Sequence, residues 1–182
     1  MALPKVELRK TIKDLLSQTT KEEFEKHNLE ISNCLVQLLI KHAPKKEFCL
    51  GGFSPIQKEP MWHSAMTEFP KLAFPRIEKD KIDFYLASFS ELEDSGEYSI
   101  KEPNLTHKKV IPDILLVPGI AFTRDGQRLG RGGGHYDLYL SRFKGLRIGV
   151  CFESQIVGNV YAEPHDERVN FVVTEFGATE VL

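Results

Sequence analysis

From Lys5 to Leu16, apolar residues recur every three or four positions, at Leu8, Ile12, Leu15 and Leu16, with lysine and arginine between them. That spacing places one apolar stripe on a helix. Thr20 and Glu23 stand three apart ahead of the next apolar run, the arrangement of a capping box. The stripe that follows, Phe24, Ile31, Leu35, Leu38 and Leu39, predicts a second helix that ends before Pro44. Beyond it the apolar runs shorten. Glu47 to Phe53 (EFCLGGF) predicts a buried strand, and Glu59 to Phe69 a helix with Pro60 in its first turn. Lys71 to Ile77 predicts a strand that Pro75 leaves frayed or near an edge. Ile82 to Ser88 alternates as an antiparallel strand does, whereas Glu91 to Val110 is polar and reads mostly as loop. Asp113 to Val117 (DILLV) is the clearest buried strand. Gly119 to Gly133 then reads as a long loop, Gly134 to Phe143 as a helix, and Leu146 to Phe152 and Phe171 to Glu175 as the last strands. Helices alternating with short apolar strands predict an α/β fold. The expected form is a three-layer α/β/α arrangement around a mostly parallel, Rossmann-like sheet covered on both faces. One domain over 1–182 accounts for the whole pattern.

Composition narrows the function classes. Of the 182 residues, 41% are hydrophobic and 27% charged, ordinary values for a globular chain. A net charge of −2 lacks the basic excess of a nucleic-acid surface, so no nucleic-acid partner is expected. No run approaches the ~18 apolar residues of a membrane span, and none is expected. The first residues carry no apolar signal core. Cys34, Cys49 and Cys151 are odd in number and form no C-x-x-C, as expected for free thiols in a reducing compartment. A cytoplasmic location follows from these features.

The chemistry concentrates in Val117-Pro118-Gly119-Ile120-Ala121-Phe122 and in Arg128-Leu129-Gly130-Arg131-Gly132-Gly133-Gly134-His135-Tyr136-Asp137. Glycines let backbone approach a ligand closely, and the helix expected after them would point N–H groups at an anion. Arg128 and Arg131 add planar donors for phosphate or carboxylate. Asp137 offers a hard oxygen ligand for Mg²⁺. A triple glycine by itself is more often a turn; the flanking arginines and the aromatic-Asp pair turn this one into a candidate nucleoside triphosphate site. It is not a Walker A loop, since no Lys-Ser/Thr follows. It is not the dinucleotide fingerprint either, because His135 replaces the third glycine. Phe53, Ile56, Trp62 and Tyr136 are candidates for the apolar walls of a ligand pocket, although aromatic residues in a core need no such role. Cys151 and His165 read as packing and loop.

The same segment, with Asp125-Gly126 ahead of it, resembles the signature of the 5-formyltetrahydrofolate cyclo-ligase (methenyltetrahydrofolate synthetase) family. The resemblance extends over nearly the whole chain. It takes in Lys5-x-x-Leu8-Arg9, Phe53 to Pro55 with Glu59, Pro75-Arg76, the Asp113 strand and Pro164-x-Asp166-x-x-Val169. It implies ATP- and Mg²⁺-dependent cyclisation of 5-formyltetrahydrofolate to 5,10-methenyltetrahydrofolate by a monomer. Carried over residue by residue, it implies that Lys5, Arg9 and the loop Arg128, Leu129, Gly130, Arg131, Gly132, Gly133, Gly134, His135 and Tyr136 hold ATP. Ile56, Glu59 and Met61, with Arg131 to His135, would line the folate pocket. Arg131 would stabilise the transferring phosphoryl group, and Asp137 and Asp166 would hold Mg²⁺. The pattern is not matched everywhere. Met61 stands where the family usually has an acidic substrate contact, His135 where tyrosine is usual, Gly133 where some members carry lysine, and Asn170 where aspartate is common. Two further readings stay open on the sequence: a paralogue that kept the ATP site for another substrate, and a non-catalytic nucleotide-binding protein.

Overall fold

The structure, a computed structural model, describes residues 3–43, 47–65, 71–79, 81–94 and 100–181. Two helices open the chain, α1 (Leu3–Ser17) and α2 (Lys21–His42). The capping box forms as the spacing predicts: Glu23 N–H donates to Thr20 Oγ1 at 3.2 Å and Thr20 N–H to Glu23 Oε2 at 3.0 Å. In α1, Ile12 is buried, but Leu15 is 42% exposed and lies off the packed stripe.

Among the described residues twelve strands follow: β1 (Cys49–Gly51), β2 (Lys71–Glu78), β3 (Lys81–Leu86), β4 (Leu92–Asp94), β5 (Lys101–Pro103), β6 (Lys109–Val110), β7 (Ile114–Pro118), β8 (Ala121–Phe122), β9 (Arg128–Leu129), β10 (Leu146–Val150), β11 (Phe171–Thr174) and β12 (Gly177–Glu180). A third helix, α3 (His135–Leu140), lies between β9 and β10. Eight strands build the main sheet in the order β12-β11-β10-β7-β1-β2-β3-β6. Its centre, β11-β10-β7-β1-β2, is parallel, and its margins are antiparallel. The sheet is thus mostly parallel but mixed.

Side-chain alternation sorts the core into two layers. On β7, Ile114 and Leu116 join Ile31, Leu35, Leu38 and Leu39 of α2. Leu115 and Val117 join Tyr139, Leu140 and Phe143 on the opposite face. This is why DILLV reads as an unbroken apolar run: each alternate residue has a helix to face. Pro75 sits where β1 has already ended, since the β1–β2 register stops at Gly51↔Ala73. Its missing N–H therefore costs no ladder bond, and Glu102 covers that open side by accepting from Ile77 N–H at 3.2 Å.

Four sequence expectations need correction. Of Glu59 to Phe69, the described residues 59–65 form a 3₁₀ turn at Trp62–Ala65 rather than an α-helix, and the remainder lies outside those described. The reason is tertiary. The Met61 N–H donates to Asn28 Oδ1 at 2.8 Å, and Trp62 O accepts from Ser32 Oγ at 3.1 Å. Side chains of α2 thus satisfy backbone groups that a longer helix would have paired internally. The polar segment from Glu91 to Val110 holds the β4–β5 hairpin and β6, with 95–99 outside the described residues. Its strands escape notice because so few of their side chains are apolar. Gly119 to Gly133 contains a two-residue hairpin, β8 against β9. The helix expected to reach Phe143 stops at Leu140, where Arg147 Nη2 donates to Leu140 O at 2.7 Å and Phe143 O at 2.8 Å. An arginine satisfying two terminal carbonyls ends that helix.

Candidate active site

From β1 the chain builds outward through β2, β3 and β6; from β7 it builds the other way, through β10, β11 and β12. The boundary between β1 and β7 is therefore the point where strand order reverses, and ligands of open α/β sheets bind beyond the carboxyl ends of strands at such a point. A cavity of about 660 Å³ opens there, within the usual range of small-molecule sites. The segment after β1 supplies Phe53, Ile56 and Glu59; the end of β7 supplies Pro118 and Gly119. Lys5 and Arg9 reach in from α1, and the whole loop from Arg128 to Asp137 lines it with Asp166.

The loop is shaped by backbone that side-chain-bearing residues avoid. Gly132 has φ +112° and Gly134 φ +69°, both in the region that favours glycine. Arg9 fixes the loop from below: its Nε donates to Gly130 O at 2.8 Å, and its guanidinium lies under Gly132. α3 has only six residues, and the loop backbone ahead of it lines the cavity together with Lys5, Arg9, Arg128 and Arg131.

Lys5, Arg128 and Arg131 each face a carboxylate. Lys5 Nζ donates to Asp166 Oδ2 at 2.9 Å, and Glu163 N–H to the same oxygen at 2.8 Å. Burial alone would raise the Asp166 pKa; the hydrogen bonds from Lys5 and Glu163 outweigh it and hold the carboxyl below its ordinary value. Arg128, its side chain 4% exposed, donates from Nη2 to Asp137 Oδ1 at 2.8 Å. Arg131 is far more open and donates to Glu59 Oε1 from Nη2 at 2.7 Å and from Nε at 3.2 Å. Glu59 Oε2 accepts from Ile56 N–H at 3.1 Å, so this carboxylate ties the β1 segment to the glycine loop. Tyr136 Oη and His135 Nδ1 are buried without a hydrogen-bond partner among the described residues. Burial first, then the Glu59 charge, pushes the Tyr136 phenol up, so it remains a neutral donor in the cavity.

Among the described residues no three His, Cys, Asp or Glu side chains cluster as a metal cage. Asp137 and Asp166 nonetheless suit Mg²⁺, which takes one or two carboxylates and completes its shell with water and phosphate oxygens.

Most residues singled out in the sequence converge on this cavity: Lys5, Arg9, Ile56, Glu59, Asp166 and the continuous run Arg128 to Asp137. Met61 does not; it is exposed and turned away, its backbone engaged with Asn28 and Ser32. Met61→Glu is therefore expected to leave the Michaelis constant for any ligand of this cavity within about twofold in steady-state kinetics. Trp62 is no wall either. It is fully buried, with Nε1 donating to Phe53 O at 3.0 Å. Sequence reasoning missed Glu163 and His165, which line the cavity beside Lys5 and Asp166, and Ile77, Ile82 and Glu102, which line the sheet side. The same-face spacing of Pro75 and Ile77 on β2 carried a signal; nothing in the polar segment around Glu102 did.

The sequence profile of the 5-formyltetrahydrofolate cyclo-ligase family matches residues 3–175. The 5-formyltetrahydrofolate cyclo-ligase of Saccharomyces cerevisiae is 31% identical over 118 residues, 60% of this chain and 53% of that protein. The mitochondrial one of Arabidopsis thaliana is 28% identical over 153 residues, 70% of this chain and 55% of that protein. The aligned stretches thus span about half the length of these curated relatives. The solved structure of the Aquifex aeolicus 5,10-methenyltetrahydrofolate synthetase superposes with a TM-score of 0.77 at 30% identity, over 100% of this chain and 93% of that one.

Proposed function

Because the chain belongs to the 5-formyltetrahydrofolate cyclo-ligase family, we propose that it converts 5-formyltetrahydrofolate and ATP to 5,10-methenyltetrahydrofolate, ADP and phosphate, with Mg²⁺ bound. The observation that carries this reading is one cavity in which four cations and a glycine loop face an apolar wall.

The chemistry asks for no enzyme nucleophile. The formamide carbonyl is a weak electrophile because nitrogen donates into it. Its oxygen attacks the γ-phosphorus of ATP, the bond to ADP breaks, and the formyl carbon now carries a phosphate leaving group. N10 of the same folate attacks that carbon and loses its proton, and phosphate departs with the carbon–oxygen bond. The product is the cyclic methenyl cation. Such a sequence depends on alignment and on neutralising charge at the phosphoryl group.

In this reading Lys5, Arg9 and the Arg128–Tyr136 loop bind the triphosphate, and Ile56 and Glu59 position the folate. Arg131 is the catalytic residue: it is the exposed cation of the loop, and its present partner, Glu59, lies on the folate side. Arg128, held against Asp137, has no such freedom. Asp137 and Asp166 would hold Mg²⁺, whose charge favours the transferring phosphoryl group and the departing ADP. The proposal further takes the chain as a single catalytic domain, monomeric and cytoplasmic. No described helix is long and apolar enough to cross a membrane.

Mixing the protein with 5-formyltetrahydrofolate, ATP and Mg²⁺ is expected to produce the near-ultraviolet absorbance of the methenyl product. Chelating the metal is expected to abolish it, and Mg²⁺ to restore it. Nucleotide binding without methenyl formation would replace this reading with that of a paralogue acting elsewhere or a non-catalytic nucleotide-binding protein.

A further inference from the structure

The two carboxylates proposed for Mg²⁺ already face cations of this chain. Arg128 Nη2 donates to Asp137 Oδ1 at 2.8 Å, and Lys5 Nζ donates to Asp166 Oδ2 at 2.9 Å. Each pair is charge-neutral, so together they offer a divalent cation little net attraction. The two cations differ in freedom. Arg128, its side chain 4% exposed, also donates to Pro118 O and lies against the Tyr136 ring. Lys5 is a compact charge on a flexible stem, and it lines the same cavity as Arg9 and the glycine loop. Its one further ionic contact among the described residues is Glu163 at 3.8 Å. The Asp166 oxygen that accepts from Lys5 also accepts from Glu163 N–H at 2.8 Å. Lys5 can therefore leave without stranding that carboxylate.

We propose that Lys5 passes from Asp166 to the triphosphate and so makes metal binding depend on nucleotide, an inference that rests on the ATP and Mg²⁺ reading above. With no nucleotide present, the Lys5 ammonium neutralises Asp166 and repels a divalent cation approaching that carboxylate. A triphosphate carries more negative charge than one carboxylate and offers several oxygens to the ammonium donors. Once Lys5 turns to those oxygens, Asp166 regains its charge beside them, and carboxylate and phosphate oxygens together suit Mg²⁺. Arg128 stays in place and keeps Asp137 oriented. The coupling is reciprocal: nucleotide raises the affinity for metal by the factor that metal raises the affinity for nucleotide. Lys5 is thus a positioning residue for the metal as well as a phosphate contact.

The test titrates Mn²⁺, a probe for the Mg²⁺ site, into wild type, Lys5→Met and Arg131→Ala without nucleotide, and reads unbound Mn²⁺ by electron paramagnetic resonance. Lys5→Met is expected to bind the ion about tenfold or more tightly than wild type, because the charge against Asp166 is gone. Arg131→Ala removes a more exposed cation paired with Glu59 instead, and is expected to stay within about twofold of wild type. In a second titration, with metal chelated, the β,γ-imido analogue of ATP is expected to bind Lys5→Met about tenfold more weakly than wild type. A purely structural Lys5 would not shift the two affinities in opposite directions. Thermal melting reports whether Lys5→Met folds; if it does not, Lys5→Gln is expected to show the same opposite shifts. Unchanged Mn²⁺ affinity in the folded variant, or an equal gain in Arg131→Ala, overturns the proposal. So does tighter Mn²⁺ binding with undiminished nucleotide affinity, which would leave Lys5 as a fixed counter-charge. The expected shifts in a protein that forms no methenyl product overturn the cyclisation reading and leave the role of Lys5 standing. Methenyl product without those shifts does the reverse, and no nucleotide binding by wild type overturns both.

Discussion

Replacing Arg131 with alanine is expected to lower kcat by about three orders of magnitude or more, the range for an arginine that neutralises a transferring phosphoryl group, while the fold persists. The stability side of that expectation follows from exposure. The Arg131 side chain is 42% exposed, and its pair with Glu59 is of the kind worth about 0–1 kcal/mol in double-mutant cycles. Glu59 keeps the Ile56 N–H as a partner after the change. At about 2–4 °C per kcal/mol for a chain of this size, the melting temperature should fall by no more than about 4 °C. Lysine should restore little of the rate, since it lacks the planar fork. Single-turnover kinetics beside thermal melting separates the two effects. Undiminished turnover in the alanine variant would remove Arg131 from the chemistry.

Asp137→Ala should behave differently, losing both activity and stability. Its partner Arg128 is buried, and removing the carboxylate strands a guanidinium whose remaining contacts are Pro118 O at 3.3 Å and the Tyr136 ring at 5.6 Å. Breaking a buried pair from one side costs about 3–5 kcal/mol, which corresponds to a melting temperature lower by roughly 6–20 °C. The double variant Arg128→Met with Asp137→Leu should recover most of that stability, because apolar replacements leave no charge stranded. It should recover none of the activity, because the carboxylate proposed to hold Mg²⁺ is still missing. A double variant as unstable as Asp137→Ala would show that the pair is not what holds this part of the loop. The contrast between Arg131 and Asp137 thus separates a residue held in readiness from one built into the fold.

The parts of this molecule that could be read in advance are those where one residue pattern has one physical solution. Ile114 to Val117 can only be a strand with helices on both faces, and Thr20 with Glu23 forms the cap its spacing requires. The glycine loop announces itself because Gly132 and Gly134 adopt φ values that other residues resist. What stayed hidden depended on tertiary partners. Trp62 has the composition of a pocket wall, but Phe53 O and the aromatic core claim it. Met61 follows Glu59 by two positions, yet Asn28 holds its backbone and the side chain points outward. Glu102 lies in a polar stretch whose two short strands pair with each other, and its carboxylate covers the part of β2 that outruns β1. No local signal encodes that contact. Leu15 failed in the opposite sense, since helical spacing alone cannot say how wide a stripe the neighbours will cover.

The central claim is that this cavity joins the two substrates so that the formyl oxygen leaves as phosphate. The most direct measurement supplies 5-formyltetrahydrofolate carrying ¹⁸O in the formyl group, with ATP and Mg²⁺, and examines the inorganic phosphate by mass spectrometry. The account predicts one ¹⁸O per phosphate for each methenyl product formed. Methenyl product accompanied by unlabelled phosphate would contradict it.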